Sequence, residues 1–470
     1  MRVNATILFL TVTLLGVGIG TYVWEKRFSG DASQITLYCA GCNVILISLD
    51  TLGAKHLGLY GYGQSTSPFL DMMARESGIV FENAISQAPW TLPSHAAMLT
   101  ARDPEELNIW SVTDVLPPEV KTIAEVLREN GFATRAFSYG AFVQPAWGFD
   151  QGFEDFSGSS LYEDWEDIPR IFNEAAGSLR DSPKEPFFLF IRSFYVHDPY
   201  APVSRAGSRV HENGEPVEVD IEDIVEANTR QEGFTTRELE RFRDAYDAQI
   251  KELDAAIKEF FQELETNGVL DNTIVIITAD HGEEFGEHGT VGFHVGLYDE
   301  TIHVPLIMVV PGKKPMRIER AVEVRALPPT ILDLVGLPAE PEFKTESLFS
   351  GEGEQDIALS VTGMKRDRVF QALEKGYGWL GQIEKSALLE PRKGTWDDFI
   401  ARSARSERWH LISDTEKKRE LYDLSVDPGE KKDLYASWAN LSPADQRETL
   451  RLFSALAIEA PCGEHCQYEE

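Results

Sequence analysis

The sequence predicts an α/β fold in which a large, mostly parallel sheet is flanked by helices, with a small α+β subdomain at the C-terminus. Three observations lead to this prediction. Short apolar runs rich in β-branched or aromatic residues recur along the chain, segments with helical periodicity separate them, and short strands with polar turns follow from about residue 354. The 470 residues are enough for one large domain and a smaller one.

The N-terminal segment forms a separate unit. Residues 5–24 carry no charge and have the ~20 residues that a helix needs to cross a bilayer. A charged run at 25–27 ends this segment, and no cleavage site of small residues follows closely. An uncleaved anchor is therefore favoured over a cleaved signal peptide.

The cysteines favour a location outside the cytoplasm. They form two terminal pairs, Cys39 with Cys42 and Cys462 with Cys466. An even number at the two ends of the chain favours disulfides in an oxidising compartment, although the spacing also permits a four-thiolate zinc site. We expect a membrane-anchored protein that faces the extracytoplasmic side, in a periplasm or outside the cell.

Three apolar runs predict buried parallel strands that end at polar residues. The run at 43–49 stops at Asp50, and the run at 272–279 stops at Asp280 and His281. A third run, at 186–194, leads to His197. Because ligands bind at the carboxyl ends of strands in open α/β sheets, we expect these side chains to converge on one crevice.

Thr91 adds a hydroxyl group to this set. It lies just ahead of a predicted helix that contains Pro93 near its start, and the first N–H groups of a helix favour an anion. Two carboxylates, one imidazole and a threonine oxygen suit a divalent metal ion such as Zn, Mn, Mg or Ca. The sequence therefore predicts a metal site built from Asp50, Asp280, His281 and Thr91.

Helical segments supply the layers that cover the sheet. Residues 118–130 predict a short helix before a strand at 134–139, and residues 237–266 predict a long helix with apolar side chains at helical spacing. The net charge of −33 argues against nucleic acid or an anionic membrane surface as a partner, because both would be repelled. A small anion can still bind locally.

Several separated motifs resemble those of the sulfatase family in the alkaline phosphatase superfamily. The matching stretches are Asp50–Leu52 with His56–Tyr62, Trp90–Arg102, Gly148–Phe153, Thr278–Glu283, Leu297–Glu300, Val304–Ile307, Glu420–Leu424 and Asp427–Glu430. The resemblance implies an alkaline-phosphatase-like sandwich. With it, we predict an N-terminal anchor or signal segment at 1–27, a linker at 28–42, a catalytic domain at 43–353 and a C-terminal subdomain at 354–470.

The chain departs from the family pattern at several positions. Thr91 and His95 stand where typical sulfatases have the formylglycine-forming residue and an arginine, and threonine cannot form formylglycine. Thr51 replaces the second aspartate of a pair, and His294 stands near the expected lysine. The set of Asp50, Thr91, Asp280 and His281 instead resembles that of single-metal phosphotransferases and phosphodiesterases in the same superfamily.

The resemblance also implies roles for the histidines. His197 resembles a family histidine that contacts the anion or protonates the leaving group. His95 could stand in for the missing arginine, and His294 could bind the anion or complete a second metal site. We interpret Glu283 and His288 as solvated loop residues.

We therefore expect a metal-dependent hydrolase or transferase that cleaves phosphate or sulfate esters through a covalent Thr91 intermediate, with phosphate esters favoured. A sulfuric ester hydrolase is one alternative. A catalytically inactive binding protein with the same fold is another, since an arginine, a lysine and an aspartate are replaced. The expected substrate is a small-molecule, glycan-linked or lipid-linked anionic ester, with the membrane contacted only by the N-terminal helix.

Overall fold

The computed structural model describes most of the chain. It covers residues 38–159, 168–180, 186–200, 219, 221–230, 233–292, 296–350, 356–364 and 399–461. The strands are β1 Asn43–Leu49, β2 Gly78–Ile85, β3 Ala133–Tyr139, β4 Asp155–Ser159, β5 Phe187–Ser193, β6 Thr273–Thr278, β7 His303–Val304, β8 Leu306–Val309, β9 Met316–Glu323, β10 Ala358–Met364, β11 Phe399–Arg405, β12 Trp409–Asp414 and β13 Arg419–Asp423. The helices are α1 Pro68–Ser77, α2 Thr91–Thr100, α3 Ile123–Glu129, α4 Ile168–Arg180, α5 Ile221–Thr229, α6 Thr236–Thr266, α7 Asp299–Ile302, α8 Leu327–Val335 and α9 Pro443–Ala455.

The large sheet has the order β4-β3-β5-β1-β6-β8-β2-β7, with β9 paired to β2. The strands β4, β3, β5, β1 and β6 are all parallel, and β8 is antiparallel to both of its neighbours. Residues of β1, β5 and β6 are fully or almost fully buried, as expected for strands covered on both faces. This confirms the predicted α/β class with a mostly parallel sheet.

The helices pack in two groups on the sheet. One group contains α1, α4 and α6, and the other contains α2, α3 and α8. The long helix α6 is the predicted amphipathic helix, and Thr235 and Glu238 form a capping box at its start. Helix α3 starts at Ile123, later than predicted, because Thr122 and Glu125 form a capping box there.

The C-terminal subdomain is an antiparallel sheet of β10, β11, β12 and β13, against which α9 packs. A buried ion pair and a buried hydrogen bond join it to the main domain. Arg405 of β11 donates from Nε to Asp299 at 2.8 Å, and Glu430 accepts from the Asp299 N–H at 2.7 Å. His410 also contacts Glu430, and both side chains are fully buried. The predicted α+β subdomain is therefore present and firmly docked.

Two predictions concern the chain ends. Cys39 and Cys42 form a disulfide just before β1, with a Cα–Cα distance of 5.6 Å that fits such a bridge. Cys462, Cys466 and the predicted anchor at 5–24 lie outside the described residues. Within the part of the chain that the structure describes, none of the helices combines the length and apolar character needed to cross a membrane.

Candidate active site

The carboxyl ends of β1 and β6 bring the predicted metal ligands together. These strands pair in parallel register, so Asp50 and Asp280 follow them at the same edge of the sheet. Asp50, Asp280 and His281 are each fully buried, and one ligand atom from each lies within 4.8 Å of the others. Asp50, Asp280 and His281 therefore lie close together, as the sequence predicted.

The atoms in this cluster have the arrangement of an incomplete coordination shell. His281 Nε2 lies 3.8 Å from Asp50 Oδ1 and 3.5 Å from Asp280 Oδ2. Both oxygens are buried, and neither has a hydrogen-bond partner among the described residues. Buried carboxylate oxygens are normally paired or bound to a cation. A divalent metal ion fits this set of two carboxylates and one imidazole.

The backbone after Asp280 orients the imidazole of His281. Nδ1 of His281 donates to the Gly282 carbonyl at 2.9 Å, so Nε2 on the other side of the ring faces the carboxylates. Gly282 itself has to be glycine, because a Cβ there would lie 2.2 Å from the carbonyl oxygen of Glu300. The Asp-His-Gly sequence thus fixes the direction of the His281 imidazole.

Thr91 opens helix α2 and faces the same cluster. Its Oγ1 lies 3.3 Å from His281 Nε2, and the residue is only 4% exposed. The first N–H groups of a helix have no acceptor within the helix, so this end of α2 favours a negatively charged group. The hydroxyl is therefore placed where a metal ion and an anionic ester could both reach it.

Burial and the imidazoles act in opposite directions on the pKa of Asp280. Burial raises this pKa, but His281 and His95 outweigh it and hold the pKa well below its ordinary range. Asp280 is thus a carboxylate at neutral pH. Its Oδ1 also accepts from the N–H groups of Thr51 at 3.2 Å and His281 at 3.0 Å. Oδ2, the other oxygen, faces the imidazoles of His95 at 3.3 Å and His281 at 3.5 Å.

His95 is buried beneath the site. Its Nδ1 lies 3.0 Å from the Thr91 carbonyl and 3.3 Å from Asp280 Oδ2, and its Nε2 lies 3.0 Å from Ser48 Oγ. The ring is fully buried and both nitrogens contact protein atoms. This geometry favours orientation of Asp280 and Thr91 by His95, whereas the sequence analysis expected it to contact substrate.

His197 lies on the loop that follows β5. Its ring stacks on Phe194 with 4.1 Å between centroids, and its side chain keeps 23% exposure. Nδ1 lies 2.5 Å from Asp198 Oδ1. Burial lowers the pKa of His197, but the Asp198 carboxylate outweighs it and raises the pKa to about 10. The imidazole is therefore protonated at neutral pH and able to donate a proton.

The loop of His197 is tied to the end of β1. The Thr51 hydroxyl donates to the Val196 carbonyl at 3.0 Å, and Tyr246 of α6 donates to the Thr51 carbonyl at 2.6 Å. Thr51 also has a left-handed backbone, with φ of 57°. The residue that replaces the second family aspartate thus positions two loops rather than presenting a second carboxylate.

Arg192 is a part of the site that the sequence analysis missed. It lies on β5 with no exposed surface, and its Nη2 forms an ion pair with Asp50 Oδ2. The signal was present in the sequence, because one arginine interrupts the apolar run of this strand. A buried arginine at the end of a parallel strand is rarely without a partner.

Two loop residues are shielded from solvent, contrary to the expectation that they are solvated: Glu283 is buried and His288 is partly buried. Glu283 is 2% exposed, and burial, with the nearby Asp198 carboxylate, raises its pKa well above the ordinary value. The His288 side chain is 10% exposed, and its ring stacks on Tyr298 with 3.5 Å between centroids. Charge in the Asp-His-Gly-Glu motif therefore did not indicate a solvent-facing loop. His294 lies outside the described residues.

The segment before Thr91 is also held by the C-terminal subdomain. The Gln87 side chain accepts from the Arg325 N–H at 2.8 Å and donates to the Leu359 carbonyl at 3.3 Å. The hydroxyl of Ser360 donates to the Ser86 carbonyl at 2.6 Å. These bonds fix the chain four residues before Thr91, so the second domain contributes to the placement of the hydroxyl.

Comparison with known proteins gives a consistent family assignment. The Sulfatase family model matches residues 42–337. Arylsulfatase K from Bos taurus is 24% identical over 455 residues, covering 86% of this chain and 80% of the relative. The Δ4,5-hexuronate-2-O-sulfatase of Bacteroides thetaiotaomicron is 25% identical over 428 residues, covering 83% of this chain and 84% of the relative.

Solved structures share the fold. A 2-O glycosaminoglycan sulfatase has a TM-score of 0.65 at 20% identity, covering 87% of this chain and 91% of the other. The phosphonate monoester hydrolase of Agrobacterium radiobacter has a TM-score of 0.65 at 19% identity, covering 88% and 96%. The named sequence relatives are sulfatases, so they favour the sulfuric-ester alternative over the phosphate ester expected from Thr91.

Proposed function

The chain belongs to the sulfatase family of the alkaline phosphatase superfamily and is an ester hydrolase of that family, and we propose that it cleaves sulfuric esters in a metal-dependent reaction. The observation that carries the proposal is the convergence of Asp50, Asp280, His281 and Thr91 at one buried point. The proposed substrate is an anionic glycan ester, because one relative is named for a hexuronate 2-O-sulfate and a fold neighbour for a glycosaminoglycan.

The proposed mechanism uses the groups at the strand ends. Asp50, Asp280 and His281 would hold a divalent metal ion. When bound, this ion would neutralise charge on the ester and lower the pKa of the Thr91 hydroxyl. The family nucleophile position is occupied by Thr91, which cannot become formylglycine, so its own oxygen has to attack. His95 orients the Asp280 carboxylate and the Thr91 carbonyl.

The reaction then proceeds in two displacements. Thr91 Oγ1 releases its proton to solvent and forms a bond to sulfur, while the bond from sulfur to the ester oxygen breaks. Protonated His197 donates its proton to the departing alcohol oxygen. Water next attacks sulfur as the bond to Thr91 breaks; one proton of this water restores the Thr91 hydroxyl, the other returns to His197, and sulfate leaves. Each bond that forms is matched by one that breaks, and no oxidant is needed.

A phosphate or phosphonate monoester is the second candidate substrate. Thr91 favours it, because an unmodified oxygen nucleophile resembles that of phosphate-transferring members of the superfamily. The same residues would serve, with phosphorus in place of sulfur. A catalytically inactive binding protein is disfavoured, since the buried carboxylate oxygens, the imidazole and the hydroxyl all face one point.

One panel of esters distinguishes these candidates. The purified protein, depleted of metal and then supplied with Mn, Zn, Mg or Ca, would be assayed on nitrophenyl sulfate, nitrophenyl phosphate, a phenylphosphonate ester and a 2-O-sulfated unsaturated uronide. We expect turnover of a sulfate ester that requires added metal, and none by an Asp280→Asn variant. Preference for phosphate or phosphonate would reverse the substrate assignment, and metal-independent turnover would contradict the mechanism.

We also propose that residues 5–24 anchor the protein and that its catalytic domain faces an oxidising compartment. The uncharged N-terminal run and the disulfide between Cys39 and Cys42 support this location. Membrane fractionation with thiol labelling tests it. Recovery of the full chain in the soluble cytoplasmic fraction with four labelled thiols would refute the proposal.

A further inference from the structure

Arg192 is a buried cation that contacts the proposed metal site through Asp50. It is the sixth residue of β5, in a strand whose other residues from Phe187 to Ile191 are all apolar and buried. Its side chain has no exposed surface. Burial of an arginine in such a position is costly unless its charge is paired and its N–H donors form hydrogen bonds. The question is what this charge does at the edge of an active site.

Contacts from both neighbouring strands fix the guanidinium group. One terminal nitrogen, Nη2, forms an ion pair with Asp50 Oδ2, just after β1. The other, Nη1, donates to the Tyr139 carbonyl of β3 at 2.9 Å. Its central carbon lies 5.0 Å from the ring centroid of Phe194. Because β5 lies between β3 and β1 in the sheet, the planar fork is held from two sides.

This arrangement divides the two oxygens of Asp50 between different tasks. Oδ2 is used by Arg192, whereas Oδ1 has no hydrogen-bond partner among the described residues and faces His281 Nε2 at 3.8 Å. Oδ1 is therefore the Asp50 oxygen directed at the rest of the proposed metal site. A guanidinium group cannot lose its proton in a protein, so the positive charge beside Oδ2 is permanent.

We propose that Arg192 is a positioning residue that makes Asp50 a ligand through one oxygen and adds a fixed positive charge beneath the ester site. This inference rests on the proposed metal site. A divalent metal ion together with the Asp50 and Asp280 carboxylates has a net charge of zero. Arg192 raises the net charge of the site to +1. The extra positive charge favours binding of an anionic ester and partly compensates for the loss of the arginine that His95 replaces.

The charge of Arg192 has an opposite effect on the metal ion. It repels a divalent cation and competes with it for Asp50, so the wild-type protein binds metal more weakly than it otherwise would. Removing the charge without removing Asp50 should therefore strengthen metal binding and weaken turnover. A residue that only supports the fold would change both in the same direction.

The test compares Arg192→Met, Arg192→Lys and the double variant Asp50→Asn with Arg192→Met. The melting temperature is measured without metal and with Mn, Zn, Mg or Ca, and the metal dissociation constant is measured by chelator competition. Arg135→Met is the matched control, because Arg135 lies on the adjacent β3 and donates to the Ser178 carbonyl at 2.7 Å.

We expect Arg192→Met to melt lower than wild type without metal, because Asp50 loses its partner, and to show a larger rise on adding metal. Its metal affinity should increase roughly tenfold to hundredfold, the scale for one unit charge in a partly screened site. Its kcat/KM at saturating metal should fall at least about tenfold on the same scale. Arg192→Lys should keep most of the kcat/KM that Arg192→Met loses. In the absence of metal, the double variant should melt at a higher temperature than Arg192→Met.

Unchanged or weaker metal binding by Arg192→Met, with the same metal response as Arg135→Met, would overturn the role of Arg192. A wild-type protein with no metal response would instead overturn the proposed metal centre. If Arg192→Met does not fold, the double variant still decides. Failure of Asp50→Asn to restore the fold then contradicts the pairing with Asp50.

Discussion

Replacement of Thr91 by alanine is the most direct perturbation of the proposed mechanism. The side chain is 4% exposed at the start of α2, and its Oγ1 lies 3.3 Å from His281 Nε2. Thr91→Ala removes the hydroxyl and one methyl group but leaves Asp50, Asp280 and His281 in place. Thr91→Ser keeps the hydroxyl and is the matched control.

Thr91→Ala is expected to change stability, metal affinity and kcat by very different amounts. Loss of one long hydrogen bond and one buried methyl group should cost about 1–2 kcal/mol of unfolding free energy. Metal binding should change little, because three ligands remain. Loss of a covalent nucleophile should lower kcat by about 10³–10⁶-fold, or about 4–8 kcal/mol of transition-state stabilisation. The fall in activity should therefore greatly exceed the loss of stability.

Three measurements decide the outcome. Chemical denaturation gives the unfolding free energy, chelator competition gives metal affinity, and steady-state kinetics on the active ester gives kcat and KM. Mass spectrometry of rapidly quenched wild-type enzyme should detect a peptide containing Thr91 with one added sulfo or phospho group. If Thr91→Ala retains activity within about tenfold of Thr91→Ser, water is the nucleophile and the covalent mechanism is wrong.

Three further predictions test the surroundings of the site. Asp198→Asn should lower the pKa of His197 from about 10, so the alkaline limb of the kcat/KM profile should move toward neutral pH. The charged His197 imidazole stabilises the folded state fully below about pH 6.5, and this stabilisation is lost as the pH rises toward 10. Asp198→Asn should therefore also reduce this contribution to the free energy of unfolding. Glu430→Gln alters the buried carboxylate that contacts His410 and accepts from the Asp299 N–H, and should cost about 1–3 kcal/mol in a denaturant titration, whereas unchanged stability would show that Glu430 does not hold the subdomain in place. Gly282→Ala should displace the adjacent metal ligand and weaken metal binding by about 10–100-fold, so unchanged affinity would contradict the proposed close packing.

The phosphate-ester expectation shows where the site alone was insufficient. Thr91 and the set of ligands suit transfer of either phosphate or sulfate, because both groups are tetrahedral anions that a metal ion can neutralise. The sequence relatives are named as sulfatases, and this favours the sulfuric ester. The distinction depends on contacts to the leaving group, and neither Thr91 nor the metal ligands determine those contacts.

The sequence by itself determined the fold class and the residues that converge. Apolar runs that end at Asp50 and at Asp280 with His281 predicted buried parallel strands, and such strands place their carboxyl ends at one edge of the sheet. The helix that starts at Thr91 supplied the fourth group. These inferences succeed because uninterrupted apolar runs indicate strands buried on both faces, and such strands in an α/β sheet present ligands at their carboxyl ends.

Only the tertiary structure decided how the converging residues are paired. Arg192 and Asp50 are 142 positions apart, and their contact depends on β5 lying next to β1 in a particular register. The same holds for the burial of Glu283 and for the contacts that turn His95 toward Asp280. A charged side chain in a sequence carries no information about its distant partner, because pairing is set by strand order and packing across the whole domain.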